Sequence, residues 1–132
     1  LRSTDLRTCP APYIVAPDHP PMIDLSQLTH LFRGDRSQMR EWIGLYLQES
    51  PAYFEQLYDG LARGDAQAIA SAAHDLQPQA HYLGSARLVR SLADIEQQAL
   101  NGNTPACREL IEALPPLRAA IEADLRALLD AR

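Results

Sequence analysis

Lysine is absent from this 132-residue chain; all twelve of its basic residues are arginine. Seventeen acidic residues bring the net charge to -5. An acidic surface argues against nonspecific nucleic-acid binding, which depends on neutralising phosphates. Cysteine is scarce. Cys9 and Cys107 match neither a metal motif nor a disulfide framework, so free thiols in a reducing compartment are expected. No apolar run approaches the ~20 residues needed to cross a bilayer. With no signal peptide visible either, direct membrane contact is not expected. Gly-x-x-x-x-Gly-Lys and other glycine-rich phosphate loops are missing, which removes that route to nucleotide binding. No Glu-x-x-His pattern for a di-metal bundle occurs. No strand-like alternation of useful length appears.

What is present is the composition of a folded soluble domain, 46% hydrophobic and 22% charged. The length suits one domain with a tail. Pro10, Pro12, Pro17, Pro20 and Pro21 crowd residues 1–22. Proline removes backbone donors and disfavours helix before it, so this stretch is expected to be an extended linker. The first residue is Leu rather than Met, which suggests a piece of a longer protein.

From Ile23 the pattern turns helical, and residues 23–132 are assigned to one domain. A short helix is expected after Asp24, a possible cap, with Leu25, Leu28, Leu31 and Phe32 on its apolar face. A second helix follows Asp35 and carries Met39, Trp42, Ile43, Tyr46, Phe54 and Leu57, with a kink or brief break at Pro51. Core packing is the expected role of its aromatic residues. The third helix runs from about Ala66 to Tyr82, and a turn at Leu83-Gly84-Ser85 leads to the fourth. Thr104-Pro105 starts the last, which Pro115-Pro116 kinks or divides. Short connections between four long amphipathic segments predict an all-α antiparallel four-helix bundle with a short additional N-terminal helix.

The third helix holds the candidate site. On a helical wheel with about 100° per residue, Ala73, Leu76, Ala80 and Leu83 fall within about 40° of Ile69 and form the buried stripe. His74 lies roughly 140° away and Pro78 roughly 180° away. His74 therefore faces solvent mid-helix, with Gln67, Ala70, Ser71 and Gln77 as neighbours. An exposed histidine is usually an ordinary surface residue. It also offers a neutral nitrogen near physiological pH, able to attack a phosphoryl group and hold it covalently. The small side chains of Ala70 and Ser71 leave room for an approaching partner.

The stretch His74-Asp75-Leu76-Gln77-Pro78-Gln79-Ala80-His81-Tyr82-Leu83-Gly84 resembles the signature of histidine-containing phosphotransfer (HPt) domains. Leu76 matches the family's hydrophobic +2 position, Ala80 the small +6 position and Gly84 the +10 glycine. Leu83 and Leu88 occupy further hydrophobic positions. Leu61-Ala62-Arg63-Gly64-Asp65 and Leu92-Ala93-Asp94-Ile95-Glu96 are also similar to the family. The likeness spans about residues 24 to 130. It implies a phosphorelay intermediate in which His74 takes a phosphoryl group from a receiver-domain aspartate and passes it to another receiver. It further implies a monomeric cytoplasmic domain that binds no cofactor, Mg²⁺ being brought by the receiver. The parent implied is a bacterial hybrid sensor histidine kinase anchored in the inner membrane. Autonomous kinase activity is not expected.

Two departures stand out. The family's usual Lys at +3 is Gln77, which offers only neutral hydrogen bonds to a phosphoryl group. Arg87, in the next helix, is the candidate replacement charge. Pro78 at +4 must avoid the His74 carbonyl and should bend the helix or cost a bond. Gly84 is expected to serve the turn rather than contact phosphate. His81 lies about 10.5 Å along the helix from His74, too far to share a metal ion. With Gln67, Ala70, Ser71 and Pro78 it is a candidate for the partner's docking surface. His19 and His30 fall in no motif. The alternatives are an HPt-like adaptor that binds receivers without transfer, and a haem- or metal-binding bundle. The solvent-facing position of His74 counts against the latter.

Overall fold

The computed structural model describes residues 22–131. The proline-rich segment, with Cys9 and His19, lies outside the described residues apart from Met22. Six helices occur among the described residues: α1 (Ser26–Leu31), α2 (Arg36–Arg63), α3 (Ala66–Leu83), α4 (Ala86–Leu100), α5 (Thr104–Glu112) and α6 (Leu114–Asp130). Short turns fold α2, α3 and α4 back on one another. Helices α5 and α6 together make the fourth rod, and α1 packs against α3. The expected all-α bundle with a short leading helix is the observed architecture.

Sequence punctuation sets the boundaries. Asp35, Asp65, Ser85 and Asn103 accept from the backbone N–H three residues on at the starts of α2, α3, α4 and α5. Asp24 acts one position earlier than a formal N-cap. Leu25 holds that place without a side-chain bond, while the Asp24 carboxylate accepts from both N–H and hydroxyl of Ser26. These bonds hold the Asp24 carboxyl below the usual carboxylate range. The break before Pro115 is real and separates α5 from α6. At Pro51 no break occurs and α2 continues to Arg63. Ile43 and Tyr46 before the proline, and Phe54 and Leu57 after it, are all buried. Both halves of α2 are thus pinned to the core despite the missing donor.

The core is one cluster running through every helix, with Leu28, Phe54, Leu57, Ile69, Leu76, Leu83, Leu92, Ile95 and Ile121 at its centre. The stripe assigned to α3 is fully buried, from Ile69 through Ala73, Leu76 and Ala80 to Leu83. Buried alanines let α3 sit close between α2 and α4. Cys107 is a free, buried thiol whose burial pushes its pKa up. Burial likewise raises the Tyr46 phenol to about 12, and its ring stacks on Trp42.

The last helix closes the bundle onto α2. The Arg118 guanidinium lies 3.9 Å over the Phe54 ring and donates to the Tyr58 hydroxyl at 3.2 Å. Arg40 donates to the carbonyls of Leu128 and Leu129 near the end of α6 and of Ala131 just beyond it. With α2 and α4 held in place, α3 is a rigid platform for His74.

Ser85 links the α3–α4 turn to the core, because its cap is fully buried and its hydroxyl accepts from the Leu88 N–H at 3.3 Å. Ser85→Ala is expected to cost about 1 kcal/mol of stability. Urea unfolding followed by circular dichroism reads this as a lower midpoint at unchanged slope.

Candidate functional site

His74 stands on the outer face of α3, with 69% of its side chain exposed. The buried stripe of α3 faces away from it, which confirms the wheel. Across the α3–α4 groove, Glu96 brings a carboxylate oxygen to 3.1 Å from His74 Nδ1. The other oxygen of Glu96 accepts from Gln77 Nε2 at 2.7 Å. Only 25% of the Glu96 side chain is exposed, so the carboxylate sits in the groove rather than in open solvent.

The chemistry follows from these contacts. An ionised carboxylate can only accept, so the hydrogen of a neutral His74 imidazole resides on Nδ1. Nε2 is then left with its lone pair, and none of the hydrogen bonds among the described residues engages it. A hydrogen bond that fixes one ring nitrogen decides which atom reacts at the other. Gln77 in turn fixes the carboxylate. The result is a three-residue chain, Gln77–Glu96–His74, that presents one nucleophilic nitrogen outward.

Several sequence expectations need correcting. An amide hydrogen of Gln77 is engaged by the Glu96 carboxylate, so its link to His74 runs through Glu96. Arg87 is exposed on α4 and makes no hydrogen bond or ion pair with His74 among the described residues. On an ideal helix it lies roughly 180° round and about 13 Å along the axis from Glu96. Ala70 is 6% exposed. It belongs to the core cluster and is not open docking surface. Gln67, Ser71, Pro78 and His81 are all exposed, as proposed for a rim. Helix α3 runs unbroken through Pro78, with the His74 carbonyl deprived of its usual donor.

Gly84 serves the turn, as expected, and has a second role. It adopts the left-handed conformation with φ of 69°, and its N–H caps α3 by donating to the His81 carbonyl at 3.0 Å. The chain before α1 also crosses directly over it. Asp24 N donates to the Leu83 carbonyl at 2.9 Å, and a Cβ on residue 84 would collide with the Asp24 backbone.

Glu96 was not singled out from sequence. A usable signal existed in the hairpin itself, since residues about equally far from the Gly84 turn face each other across antiparallel helices. The exposed Leu100 was also missed. It lies one turn beyond Glu96 on the same face of α4 with 67% of its surface open. Among the described residues, no group of three or more His, Cys, Asp or Glu side chains gathers to hold a metal ion. No helix among them is long and apolar enough to cross a membrane.

A family model described as "Hpt domain" matches residues 41–131. The chain belongs to the Hpt domain family. No curated protein matches the sequence. Among solved structures, the fold is similar to the crystal structure of histidine-containing phosphotransfer protein B (HptB) from Pseudomonas aeruginosa PAO1. The TM-score is 0.77 at 21% identity, covering 86% of this chain and 100% of that one. At that identity the likeness concerns the fold.

Proposed function

We propose that this Hpt domain is a phosphorelay intermediate with His74 as its phosphoacceptor. The observation that carries this is the bond from His74 Nδ1 to Glu96, which leaves Nε2 free on an exposed and rigid helix face. In the forward step the Nε2 lone pair attacks the phosphorus of a receiver's aspartyl phosphate. An N–P bond forms, the P–O bond to aspartate breaks, and the carboxylate leaves with the electron pair. The Nδ1 hydrogen stays in place facing Glu96. The second step reverses these bonds on the aspartate of another receiver.

The domain needs little machinery of its own in this scheme. The receiver brings the reacting aspartate and Mg²⁺, and this domain brings an oriented nucleophile. Glu96 is a positioning residue, because it acts through His74 rather than on the phosphoryl group. Receivers are the partners, and the exposed rim of Gln67, Ser71, Pro78, His81 and Leu100 receives them. The setting is two-component signalling in the cytoplasm, by a monomeric domain whose parent is a hybrid sensor histidine kinase.

A pulse-chase experiment between two receivers tests the scheme. Label from the first phosphorylated receiver is expected to appear on this protein and then on the second receiver, with Mg²⁺ required. A set of receivers that binds tightly without ever transferring label would overturn it and leave the domain as an adaptor.

A further inference from the structure

Pro78 changes the backbone beside the reacting imidazole. In an α-helix each N–H bonds to the carbonyl four residues back. Pro78 has no N–H, yet α3 continues through it to Leu83, so the His74 carbonyl lacks its helical donor. The amides of Gln77 and Gln79 have the Ala73 and Asp75 carbonyls as their own helical partners. Among the described residues no side chain donates to the His74 carbonyl, and the Gln77 amide donates to Glu96. His74 and Pro78 are both exposed and lie about 40° apart round the helix. The carbonyl between them therefore belongs to the outer face of α3. A proline ring also crowds the carbonyl four residues back and turns it toward solvent.

We infer that the His74 carbonyl is a specificity-determining acceptor, met by an N–H or O–H donor on the docking receiver. The inference rests on the phosphorelay role of His74 and deepens it. Transfer brings a receiver's aspartate into contact with Nε2. A protein interface covers about 800 Å² on each partner, a patch roughly 16 Å in radius, so the carbonyl of the same residue falls inside it. A backbone carbonyl buried there without a donor costs free energy. A receiver with a donor at that place is favoured, and one presenting an apolar or acidic group is penalised.

Pro51 supplies an internal comparison. It also lies inside a helix and removes the donor to a carbonyl four residues back, that of Leu47. Its flank of α2 is a different one. Arg40 and Tyr58, within about 20° of Pro51 on the wheel, bond to α6. Trp42 and Gly60, about 180° from it, face α3.

The test measures binding of a panel of receivers by isothermal titration calorimetry to wild type, Pro78→Ala, Pro78→Val and Pro51→Ala. Each substitution restores a backbone N–H and should raise the urea midpoint. Both Pro78 variants are expected to bind the preferred receivers about fivefold more weakly, the size of one neutral hydrogen bond, and to discriminate less across the panel. Pro51→Ala is expected to bind as wild type does. Unchanged or higher affinity in both Pro78 variants would overturn the inference and leave the phosphorelay role standing. Wild-type binding by Pro78→Val alone would also overturn it, because apolar bulk would then explain the loss in Pro78→Ala. So would an equal loss in Pro51→Ala. Failure of every receiver to phosphorylate His74 would overturn the phosphorelay role and this inference with it.

Discussion

His74→Gln is expected to abolish phosphoryl acceptance while leaving the fold intact. Glutamine keeps polarity and approximate reach, but its amide nitrogen has no lone pair available for attack. The structural cost is small because the side chain is 69% exposed and loses a single bond, to Glu96. Surface substitutions of this kind change stability by no more than about 0.5 kcal/mol. Transfer from a phosphorylated receiver should therefore fall below detection at an unchanged melting temperature. His81→Gln, about 10.5 Å along the same face, should keep its label. Acid-labile label persisting on the His74→Gln protein would mean that another residue is the acceptor.

The second large effect lies at Gly84. Gly84→Ala forces a side chain into left-handed backbone at φ of 69°. It also drives a Cβ into the Asp24 carbonyl, where the N-terminal segment crosses the end of α3. The conformational term alone is about 1–2 kcal/mol, and the collision adds to it. The melting temperature should fall by roughly 5–15 °C for a domain of this size. Hydrogen exchange should rise at the Asp24 amide, which donates to Leu83. Gly64→Ala provides the control. Its φ of 65° is similar, but nothing stands within 4 Å of a Cβ there. The two variants should differ by the collision alone.

The helices and their facing were legible because they depend on local signals. Apolar spacing placed Ile69, Ala73, Leu76, Ala80 and Leu83 on one face of α3, and that face alone decides that His74 points outward. Capping residues and glycines then marked the ends of most helices within a residue or two. The errors fall where a second helix matters. Ala70 looked like open space beside the histidine because a single-helix wheel contains no neighbouring helices to bury it. Arg87 is close in the chain, yet ideal helix geometry separates it from Glu96 by roughly 180° of rotation and about 13 Å of rise, and no bond joins it to His74 among the described residues. Glu96 escaped attention for the same reason, since its role exists only once the hairpin sets two helices in register. Gln77 appeared merely to lack a charge. In the structure it donates to Glu96, the residue bonded to the histidine.

Phosphoryl transfer by this domain would turn on one atom, Nε2 of His74. The most direct measurement mixes a phosphorylated receiver with the domain and locates the phosphoryl group by mass spectrometry under neutral conditions, with ³¹P NMR to assign the isomer. The predicted product is acid-labile, base-stable phosphohistidine at His74, bonded through Nε2. Phosphate on His81, or on Nδ1 of His74, would contradict the orientation imposed by Glu96, and tight receiver binding with no phosphohistidine at all would contradict the relay.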